Sequence, residues 1–428
     1  MTGAIETSRS RPGRMDGIVI GALESELPAG GGIQRYAAGL VPELLALEER
    51  AVALVASPAV GEAFGERAVV ARPRRMARGN FVGNLLRVTW HQTALPRLLC
   101  ERGARLFYST TTDGMLAPAC PQVVTVHDLI PLLHPRSAPR LQYHFRYVVP
   151  RIVRASAAVV AMSKATRADL ERFYGVPGER VHVVHQGYRS EVFHTNAVEA
   201  SREVARRFGL GRYFLATADG RSYKNIPRVI EAFARLLRNE PSSDNPARNG
   251  EREVRSGGDV VRGDGGVDIG PGRGDVQLAL VGRSSRKEVD LPALAAELGV
   301  ADRTRFLGFV TDEELAALYA GAEAFVFPSL YEGFGIPPLE AMACGCPVIV
   351  AERASLPEVC GDAALYVDPE RMDDIAAAMG RILAEPELRA GLARRGPERA
   401  AHFSYRTAAA AIREVLHAVA ERCGGVPV

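Results

Sequence analysis

The chain has 428 residues, 47% of them hydrophobic, and a formal net charge of +3. This length suggests two or three domains with sizeable cores, and the small charge gives no case for nucleic acid as a partner. The longest apolar runs, such as residues 345–351, fall far short of the ~20 residues that a membrane-spanning helix needs. Six cysteines without a C-x-x-C pair give little support for zinc and fit reduced thiols in a cytoplasm.

The N-terminus is polar, and no apolar segment precedes Gly17. We therefore predict a disordered start over residues 1–14 rather than a signal peptide. Short apolar strands then alternate with helical patterns, which indicates a parallel sheet with crossover helices. The predicted strands are 17–23, 51–56, 104–109, 122–127, 157–162 and 181–185, and the clearest helices are 33–47 and 164–174. We assign residues 15–195 to a first Rossmann-like domain.

A second alternation follows a polar connector, and we assign residues 205–403 to a second Rossmann-like domain. Thr311-Asp-Glu-Glu314 and Ser355-Leu-Pro-Glu358 each match the capping box that opens a helix. The predicted strands are 213–218, 276–281, 305–309, 324–327, 348–351 and 365–367, and the clearest helices are 225–238 and 311–321.

One segment of the second domain breaks this pattern. Residues 239–275 hold nine glycines and no aromatic residue, so they bury too little apolar surface to order themselves. We predict a disordered insertion there. A tolerated surface insertion and a partner-binding segment both fit its composition.

Two carboxylates, Glu332 and Glu340, stand eight positions apart and enclose a Gly-X-Gly turn and a Pro-Pro pair. Because proline is favoured in the first turn of a helix, we predict that a helix starts near Pro337. The bare N–H groups at such a start favour an anion, phosphate in particular. The glutamates suit hydroxyl groups of a ribose and a sugar. The combination predicts a nucleotide-sugar site.

This segment resembles the E-x7-E motif of the retaining glycosyltransferases of family 4. The resemblance continues through residues 341–350 and 356–369. It implies the α/β GT-B fold, in which two Rossmann-like domains face each other across a cleft. It also implies that the helix of residues 404–428 crosses back to the N-terminal domain. By the same resemblance, Glu340 binds the nucleotide ribose and Glu332 contacts the donor sugar.

Further residues of the second domain are assigned to the donor. The resemblance implies that Gly333, Phe334 and Gly335 contact the donor through their main chain. Phe309 and Val310, at the end of a predicted strand, are assigned to the base, although packing explains both residues equally well.

In the first domain, Gly30, Gly31 and Gly32 follow the first strand and open a helix. Glycine permits close approach of a ligand to the backbone, although a flexible turn would look the same. The resemblance places Gly31 and Gly32 against the donor diphosphate and the acceptor.

His127 ends a strand, at the edge where open α/β sheets place their ligands. A structural histidine is the alternative. The resemblance implies that His127 contacts the transferred sugar, and that Asp128 orients the imidazole or binds acceptor.

In the second domain, Lys224 follows the first strand and resembles the lysine of the family's Lys-Asn pair. A departing diphosphate needs positive charge that acts as negative charge develops. Many family members carry arginine six positions earlier, where this chain has Ala218. Arg221 or Arg283 is the candidate substitute. A solvated turn explains Arg221 equally well.

The resemblance implies retaining transfer of a hexose from a nucleotide diphosphate sugar to a hydroxyl, without a protein nucleophile. We expect no metal requirement, since no convincing Asp-X-Asp motif lies at a strand end. The string from His127 to Pro131 resembles mannosyltransferases of polysaccharide assembly, which favours GDP-mannose as donor and a glycan or lipid-linked acceptor. The basic residues 140–154 suit peripheral contact with the inner membrane face, and equally an exposed helix.

Other classes of protein share parts of this pattern. A UDP-sugar-dependent glucosyl- or N-acetylglucosaminyltransferase would share every motif, and a non-catalytic nucleotide-sugar-binding relative is supported by Ala218. Inverting GT-B enzymes and nucleotide-sugar epimerases would lack the E-x7-E pair. An NAD-dependent dehydrogenase would need the G-x-G-x-x-G fingerprint, which is missing at the first strand.

Overall fold

The computed structural model describes residues 17–23, 31–55, 58–71, 81–139, 141–238, 254–256, 259–261, 275–282 and 289–424. They form two compact units. The first unit holds the described residues up to Tyr188 and those from Phe403 onward, and the second holds those from Arg189 to His402. In this part of the chain, no helix is long and apolar enough to cross a membrane.

The first unit is built on a sheet of seven parallel strands. Its strands are β1 (Ile18–Ala22), β2 (Val52–Val55), β3 (Ala68–Val70), β4 (Leu106–Ser109), β5 (Gln122–Val126), β6 (Ala158–Ala161) and β7 (Val181–Val183). Its helices are α1 (Gly32–Leu47), α2 (Pro58–Phe64), α3 (Phe81–Arg102), α4 (Ile130–Leu133), α5 (Leu141–Tyr147), α6 (Val149–Ala155), α7 (Lys164–Tyr174) and α16 (Tyr405–Gly424). The central strands β1, β4, β5 and β6 are buried along their whole length, as parallel sheets covered on both faces require.

The strand order β3-β2-β1-β4-β5-β6-β7 contains one reversal of direction. The chain moves outward from β1 to β3, returns to β4 beside β1, and then moves outward on the other side. In open sheets of this kind, ligands bind at the carboxyl ends of the two strands that flank the reversal. The first unit therefore offers a ligand position beyond β1 and β4.

The C-terminal helix α16 packs against α1 in this unit. The buried carboxylate of Glu48, at the end of α1, accepts hydrogen bonds from Arg413 and from His417, the latter at 2.6 Å. Tyr405 donates a hydrogen bond to the carbonyl oxygen of Arg35 at 3.3 Å. These contacts fix α16 on the first unit although its sequence follows the second.

The second unit has a six-stranded parallel sheet in the order β12-β11-β8-β13-β14-β15. Its strands are β8 (Tyr213–Thr217), β11 (Gln277–Val281), β12 (Thr304–Gly308), β13 (Ala324–Phe327), β14 (Val348–Ala351) and β15 (Ala364–Val367), with a separate antiparallel pair of β9 (Val254–Ser256) and β10 (Asp259–Val261). Its helices are α8 (Val198–Arg207), α9 (Ile226–Arg238), α10 (Leu291–Glu297), α11 (Asp312–Gly321), α12 (Ile336–Ala343), α13 (Leu356–Cys360), α14 (Met372–Ala384) and α15 (Pro386–Ala400). The reversal of strand order lies between β8 and β13.

The predicted strands of both sheets are present, each within two residues of its expected bounds. The strand β3 and the helix α3 were not predicted. β3 is only three residues long and half-buried, which leaves little hydrophobic pattern to recognise. The predicted disordered start, residues 1–14, lies outside the described residues. So does most of the predicted insertion 239–275, of which six described residues form the β9–β10 pair.

The two predicted capping boxes had different outcomes. The first is confirmed, because Thr311 Oγ1 accepts from the N–H of Glu314 at 3.2 Å while the Glu314 carboxylate accepts from the N–H of Thr311 at 2.8 Å. The second is wrong. Ser355 makes no side-chain cap on α13, and its hydroxyl donates instead to the carbonyl oxygens of Glu332 and Phe334. The buried carbonyl groups of that loop need donors, and this need outweighs the local capping pattern.

Gly187 provides a test of how α16 is held. A Cβ atom built on Gly187 would lie 2.1 Å from the backbone nitrogen of Tyr405 and 2.5 Å from the carbonyl carbon of Ser404. Because backbone atoms cannot move aside cheaply, we expect Gly187→Ala to lower the free energy of unfolding by about 3 kcal/mol in urea titration. The control is Gly61→Ala in α2, where the new methyl group meets side chains at ordinary distances and helix propensity improves. Equal stability of both variants would contradict this description of the α16 junction.

Candidate functional site

The reversal point of the second sheet carries a buried ion pair. The loop after β8 bears Lys224, and the loop after the neighbouring strand β13 bears Glu332. Lys224 Nζ lies 2.6 Å from Glu332 Oε1, and each side chain is only 10% exposed. Two charges are thus held out of water at the position where the topology predicts a ligand.

Aromatic rings surround the ammonium group of Lys224. Its Nζ lies 5.3 Å from the centroid of the Tyr223 ring and 4.9 Å from that of Phe327. Ring faces attract a cation, and this attraction strengthens where water is excluded. The rings and Glu332 together keep a lysine charge in a place where an unpaired charge would be costly.

The two loops are also tied together through their backbones. Leu330 N–H and the Ser329 hydroxyl both donate to the carbonyl oxygen of Tyr223, at 2.7 and 3.1 Å. Asn225 has the left-handed φ of 62°, and its side-chain amide donates to the carbonyl oxygens of Pro328 and Pro369 at 3.1 and 2.7 Å. These bonds fix the spacing of the charged pair.

Ser355 lies in the connection between β14 and β15 and supports the loop that bears Glu332. Its buried hydroxyl lies 2.9 Å from Glu332 O and 2.8 Å from Phe334 O. Sequence reasoning missed this role, because the pattern around Ser355 matches a helix cap and nothing local indicates the loop that lies 21 to 23 positions earlier. Asp219, the partner of Arg221, was also missed, although it lies only two positions before the arginine.

The helix after this loop begins at Ile336 with Pro337 in its first turn, so the predicted start is confirmed. Gly335 precedes it with φ 108°, and a Cβ there would lie 2.8 Å from the Leu356 side chain. Glycine is therefore required on both conformational and steric grounds. The first-turn N–H groups of this helix, α12, and the ammonium of Lys224 both favour an anion.

The other predicted residues of this segment are inside the fold. Gly333 and Phe334 are buried in the loop that Ser355 holds, and Glu340 is 4% exposed within α12. A buried carboxylate in the second turn of a helix is not part of a solvated charged face. The structure therefore excludes the alternative that the two glutamates merely form a solvated, charged face of a helix.

Arg221 lies beside Lys224 and shares the Tyr223 ring with it, at 5.2 Å from the ring centroid. Its guanidinium forks onto the Asp219 carboxylate. Burial raises the pKa of Asp219, but the hydrogen bonds and charge of Arg221 outweigh it and leave that pKa below its usual range. Burial likewise lowers the pKa of Arg221, and Asp219 more than reverses this. Arg221 is thus a cation that Asp219 holds near Lys224, with its side chain 44% exposed, and its role at a diphosphate stays a prediction.

The position of the missing arginine, Ala218, is buried, and its N–H donates to Val281 O at 2.7 Å. The other candidate substitute, Arg283, lies outside the described residues. Phe309 is 78% exposed and Val310 is 8% exposed, both after the edge strand β12. No hydrogen bond or ring contact joins these two residues to the Lys224 cluster within the described ranges, so their role at a base stays a prediction.

In the first unit, His127 lies at the end of β5 with its Nε2 2.9 Å from the carbonyl oxygen of Thr110. Since a carbonyl only accepts, Nε2 carries the proton. The Tyr36 ring packs edge-on against the imidazole at 4.8 Å between centroids. Burial lowers the pKa of His127 to about 4, although the bond to Thr110 acts in the opposite direction. His127 is therefore neutral near pH 7, and its Nδ1 can accept a hydrogen bond.

The predicted Gly31–Gly32 turn begins α1 in this unit. Gly31 is the N-cap residue, and its N–H donates to the Gln34 side chain at 2.7 Å. Both glycines are exposed, and no atom lies within 4 Å of a Cβ built on Gly32. Packing in the structure thus does not require glycine at Gly32. Gly30 lies outside the described residues.

Two family models match this chain. Residues 30–192 match the model described as Glycosyltransferase Family 4, and residues 271–399 match the one described as Glycosyl transferases group 1. The chain belongs to the family 4, or group 1, glycosyltransferases. The family that the sequence motifs indicated is thereby confirmed.

Three curated relatives are about 30% identical in sequence to this chain. The O-antigen chain mannosyltransferase B of Escherichia coli is 30% identical over 66% of this chain and 66% of its own length. The MMP α-(1→4)-mannosyltransferase of Mycolicibacterium hassiacum is 30% identical over 63% and 56%. The D-inositol 3-phosphate glycosyltransferase of Streptomyces bingchenggensis is 32% identical over 62% and 53%. The chain thus spans about half to two thirds of the curated relatives it matches.

Solved structures show the same fold. Anabaena HepE, solved with UDP and glucose, superposes with a TM-score of 0.66 at 18% identity, over 94% of this chain and 99% of the other. Sucrose-phosphate synthase from Thermosynechococcus elongatus gives 0.68 at 18% identity, over 94% and 98%. The GT-B fold class, with its two parallel Rossmann-like sheets, is confirmed.

The ion pair at the reversal point can be tested by a double-mutant cycle. Removing one partner of a buried pair leaves an uncompensated charge, so we expect Lys224→Met to cost about 3–5 kcal/mol of unfolding free energy. Adding Glu332→Leu should restore at least about 2 kcal/mol of that loss in urea titration. As a control, Arg381→Met breaks the more exposed Arg381–Glu385 pair on α14 and should cost less than about 1 kcal/mol. Purely additive losses in the double variant would contradict the pairing.

The neutral state of His127 predicts a pH dependence of stability. Between its folded pKa of about 4 and an unfolded value near 6.5, the unfolded chain binds a proton that the folded chain does not. Stability therefore falls as pH drops from 7 to 5, by about 1–2 kcal/mol for this half-buried ring. In urea titrations at pH 7 and pH 5, His127→Gln should lose this part of the fall in unfolding free energy. His402→Gln, which changes a surface histidine, should keep it. An unchanged pH difference in His127→Gln would show that the imidazole titrates normally.

Proposed function

We propose that this chain transfers a hexose from a nucleotide diphosphate sugar to a hydroxyl group of a glycan or lipid-linked acceptor, with retention of anomeric configuration. The observation that carries the proposal is the buried Lys224–Glu332 pair at the reversal point of the second sheet. Family membership supports the reaction class, and HepE, which was solved with UDP and glucose, supports the class of donor.

The chemistry assigned to the pair follows from charge. When the bond from the anomeric carbon to the diphosphate breaks, negative charge grows on the diphosphate, and Lys224 stabilises it in a site that excludes water. Arg221 supplies a second cation nearby. The diphosphate replaces Glu332 as the partner of the ammonium, which leaves the Glu332 carboxylate to accept from a sugar hydroxyl.

The acceptor oxygen forms its new bond on the face from which the diphosphate leaves. Its proton passes to the departing phosphate oxygen, so the proposal needs no protein nucleophile. The neutral His127 accepts a hydrogen bond from a hydroxyl of the transferred sugar through Nδ1 and orients it. The roles of Glu340 at the ribose, of Gly31 and Gly32 at the diphosphate, and of the Gly333–Gly335 backbone at the donor complete the proposed donor site.

For the sugar, we favour mannose from GDP-mannose. The Escherichia coli and Mycolicibacterium hassiacum relatives are both named mannosyltransferases. A glucosyl- or N-acetylglucosaminyltransferase that uses a UDP-sugar is the second candidate, because the HepE structure holds UDP and glucose. We further propose a cytoplasmic enzyme that contacts the inner membrane face and needs no metal ion, so that EDTA leaves its rate unchanged.

The reaction can be tested with GDP-mannose, UDP-glucose and UDP-N-acetylglucosamine, each offered with mannoside and lipid-linked acceptors. We expect nucleotide release with GDP-mannose and an α-linked product by NMR. Lys224→Ala and Glu332→Gln should each lower kcat/KM by about 10²–10³-fold, because they remove interactions that strengthen in the transition state. Arg202→Gln, on the exposed face of α8, is the control and should retain full activity.

Three results separate the alternatives. Turnover with a UDP-sugar alone would replace mannose but keep the mechanism. Nucleotide binding without turnover of any donor would indicate the non-catalytic relative. A product of inverted anomeric configuration would contradict the proposal.

A further inference from the structure

Residues 129–168 carry basic side chains but no acidic ones. This 40-residue stretch contains no aspartate or glutamate, although acidic and basic residues are nearly balanced over the chain, at 50 and 53. Its basic residues are Arg136, Arg140, Arg146, Arg151, Arg154, Lys164 and Arg167. The proposed donor site uses none of them.

Part of this stretch lines a cavity of about 510 Å³ in the first unit, which is open to solvent on one side. α5 and α6 contribute three arginines to its wall, and α7 contributes two aromatic rings. The side chains that matter are Arg146, Tyr147, Arg151, Arg154, Phe173 and Tyr174. We call this the arginine cavity.

Hydrogen bonds between helices fix the walls of the arginine cavity. Tyr174, on α7, donates its hydroxyl proton to the carbonyl oxygen of Phe145 on α5 at 2.6 Å. Arg180 donates to the last carbonyl oxygens of α6, those of Val153 and Arg154, at 3.2 Å each. The cavity is therefore a built feature of the fold rather than a gap between loose segments.

No carboxylate neutralises the three arginines within the part of the chain that the structure describes. Arg151 donates to the carbonyl oxygen of Tyr147, and the Arg146 guanidinium lies 6.0 Å from the Tyr147 ring. Neither contact removes positive charge. Three like charges around one cavity repel one another, so an anion bound there would stabilise them.

Exposed apolar side chains accompany the arginines. Tyr147 and Phe173, which line the cavity, are 52% and 38% exposed, and Leu141 and Tyr143, on the same helix α5 as Arg146, are 40% and 62% exposed. Aromatic and aliphatic side chains beside clustered arginines are typical of surfaces that lie at the headgroup level of a membrane. The aromatic rings could also stack on nucleic-acid bases, so an oligonucleotide is included among the outcomes of the test.

We propose that the arginine cavity binds the phosphate headgroup of an anionic phospholipid and seats the first unit on a negatively charged membrane. The guanidinium groups contact the phosphate, and Tyr143, Tyr147 and Phe173 lie among the headgroups. This defines the site of the membrane contact suggested above. Its use in reaching a lipid-linked acceptor rests on the proposed function, but binding to vesicles does not.

The test is co-sedimentation of the full chain with vesicles of phosphatidylcholine alone or with about 30 mol% phosphatidylglycerol, near 0.1 M salt. We expect partitioning onto the anionic vesicles only. Since each arginine near an anionic surface contributes about a fivefold effect, the combined Arg146→Gln, Arg151→Gln and Arg154→Gln variant should partition roughly a hundredfold more weakly.

A matched control keeps the net charge equal. Arg202→Gln, Arg206→Gln and Arg394→Gln together remove three exposed arginines of the second unit and should leave partitioning unchanged. The single variant Phe173→Ala should weaken vesicle binding several-fold without changing its salt dependence, so the proposal stays testable if the triple variant folds poorly.

Several outcomes would overturn the proposal. These are no binding to anionic vesicles, equal loss in the cavity and control variants, and thermal stabilisation by inorganic phosphate without vesicle binding. Binding of a labelled oligonucleotide as tightly as the vesicles at the same salt would assign the cavity to nucleic acid instead. Because no donor or acceptor is present, failure here is distinguishable from failure of the transferase proposal.

Discussion

The buried pair of Lys224 and Glu332 is the interaction on which the second unit's site depends. Taking two charges out of water is expensive, and their attraction offsets that cost only when the geometry is held closely. The surrounding residues meet this condition. Asn225 fixes the loop that bears the lysine, and Ser355 fixes the loop that bears the glutamate. A pair this demanding is better explained by a ligand that exchanges with one partner than by stability alone.

The two units place different chemistry at comparable positions. Each sheet reverses its strand order once, and each has functional candidates at the carboxyl ends of its strands, with Lys224 and Glu332 at the reversal of the second sheet and His127 one strand away from the reversal of the first. In the second unit these are the cations Lys224 and Arg221, suited to a diphosphate. In the first, His127 is neutral and packed against Tyr36, so it suits an uncharged hydroxyl. The two units thus differ in the charge that they present to a ligand.

Much of this could be predicted from the sequence because the responsible signals are local. Parallel strands buried on both faces appear as continuous apolar runs, and the helix start at Pro337 depends on adjacent residues. The pairing of Lys224 with Glu332 was not predictable, since 108 positions separate them and only the strand order makes them neighbours. The Ser355 capping prediction failed for the same reason, because a tertiary demand for donors replaced a local pattern.

The most direct test of the central claim is calorimetric titration of GDP and UDP into three forms of the chain. If a diphosphate replaces Glu332 as the partner of Lys224, Lys224→Met should bind the preferred nucleotide at least about tenfold more weakly than the unmodified chain. Glu332→Gln should bind it equally or more tightly, because the lysine is released from its internal partner. Equal affinities in all three forms would contradict the account. So would a Glu332→Gln variant that binds more weakly together with a Lys224→Met variant whose affinity is unchanged.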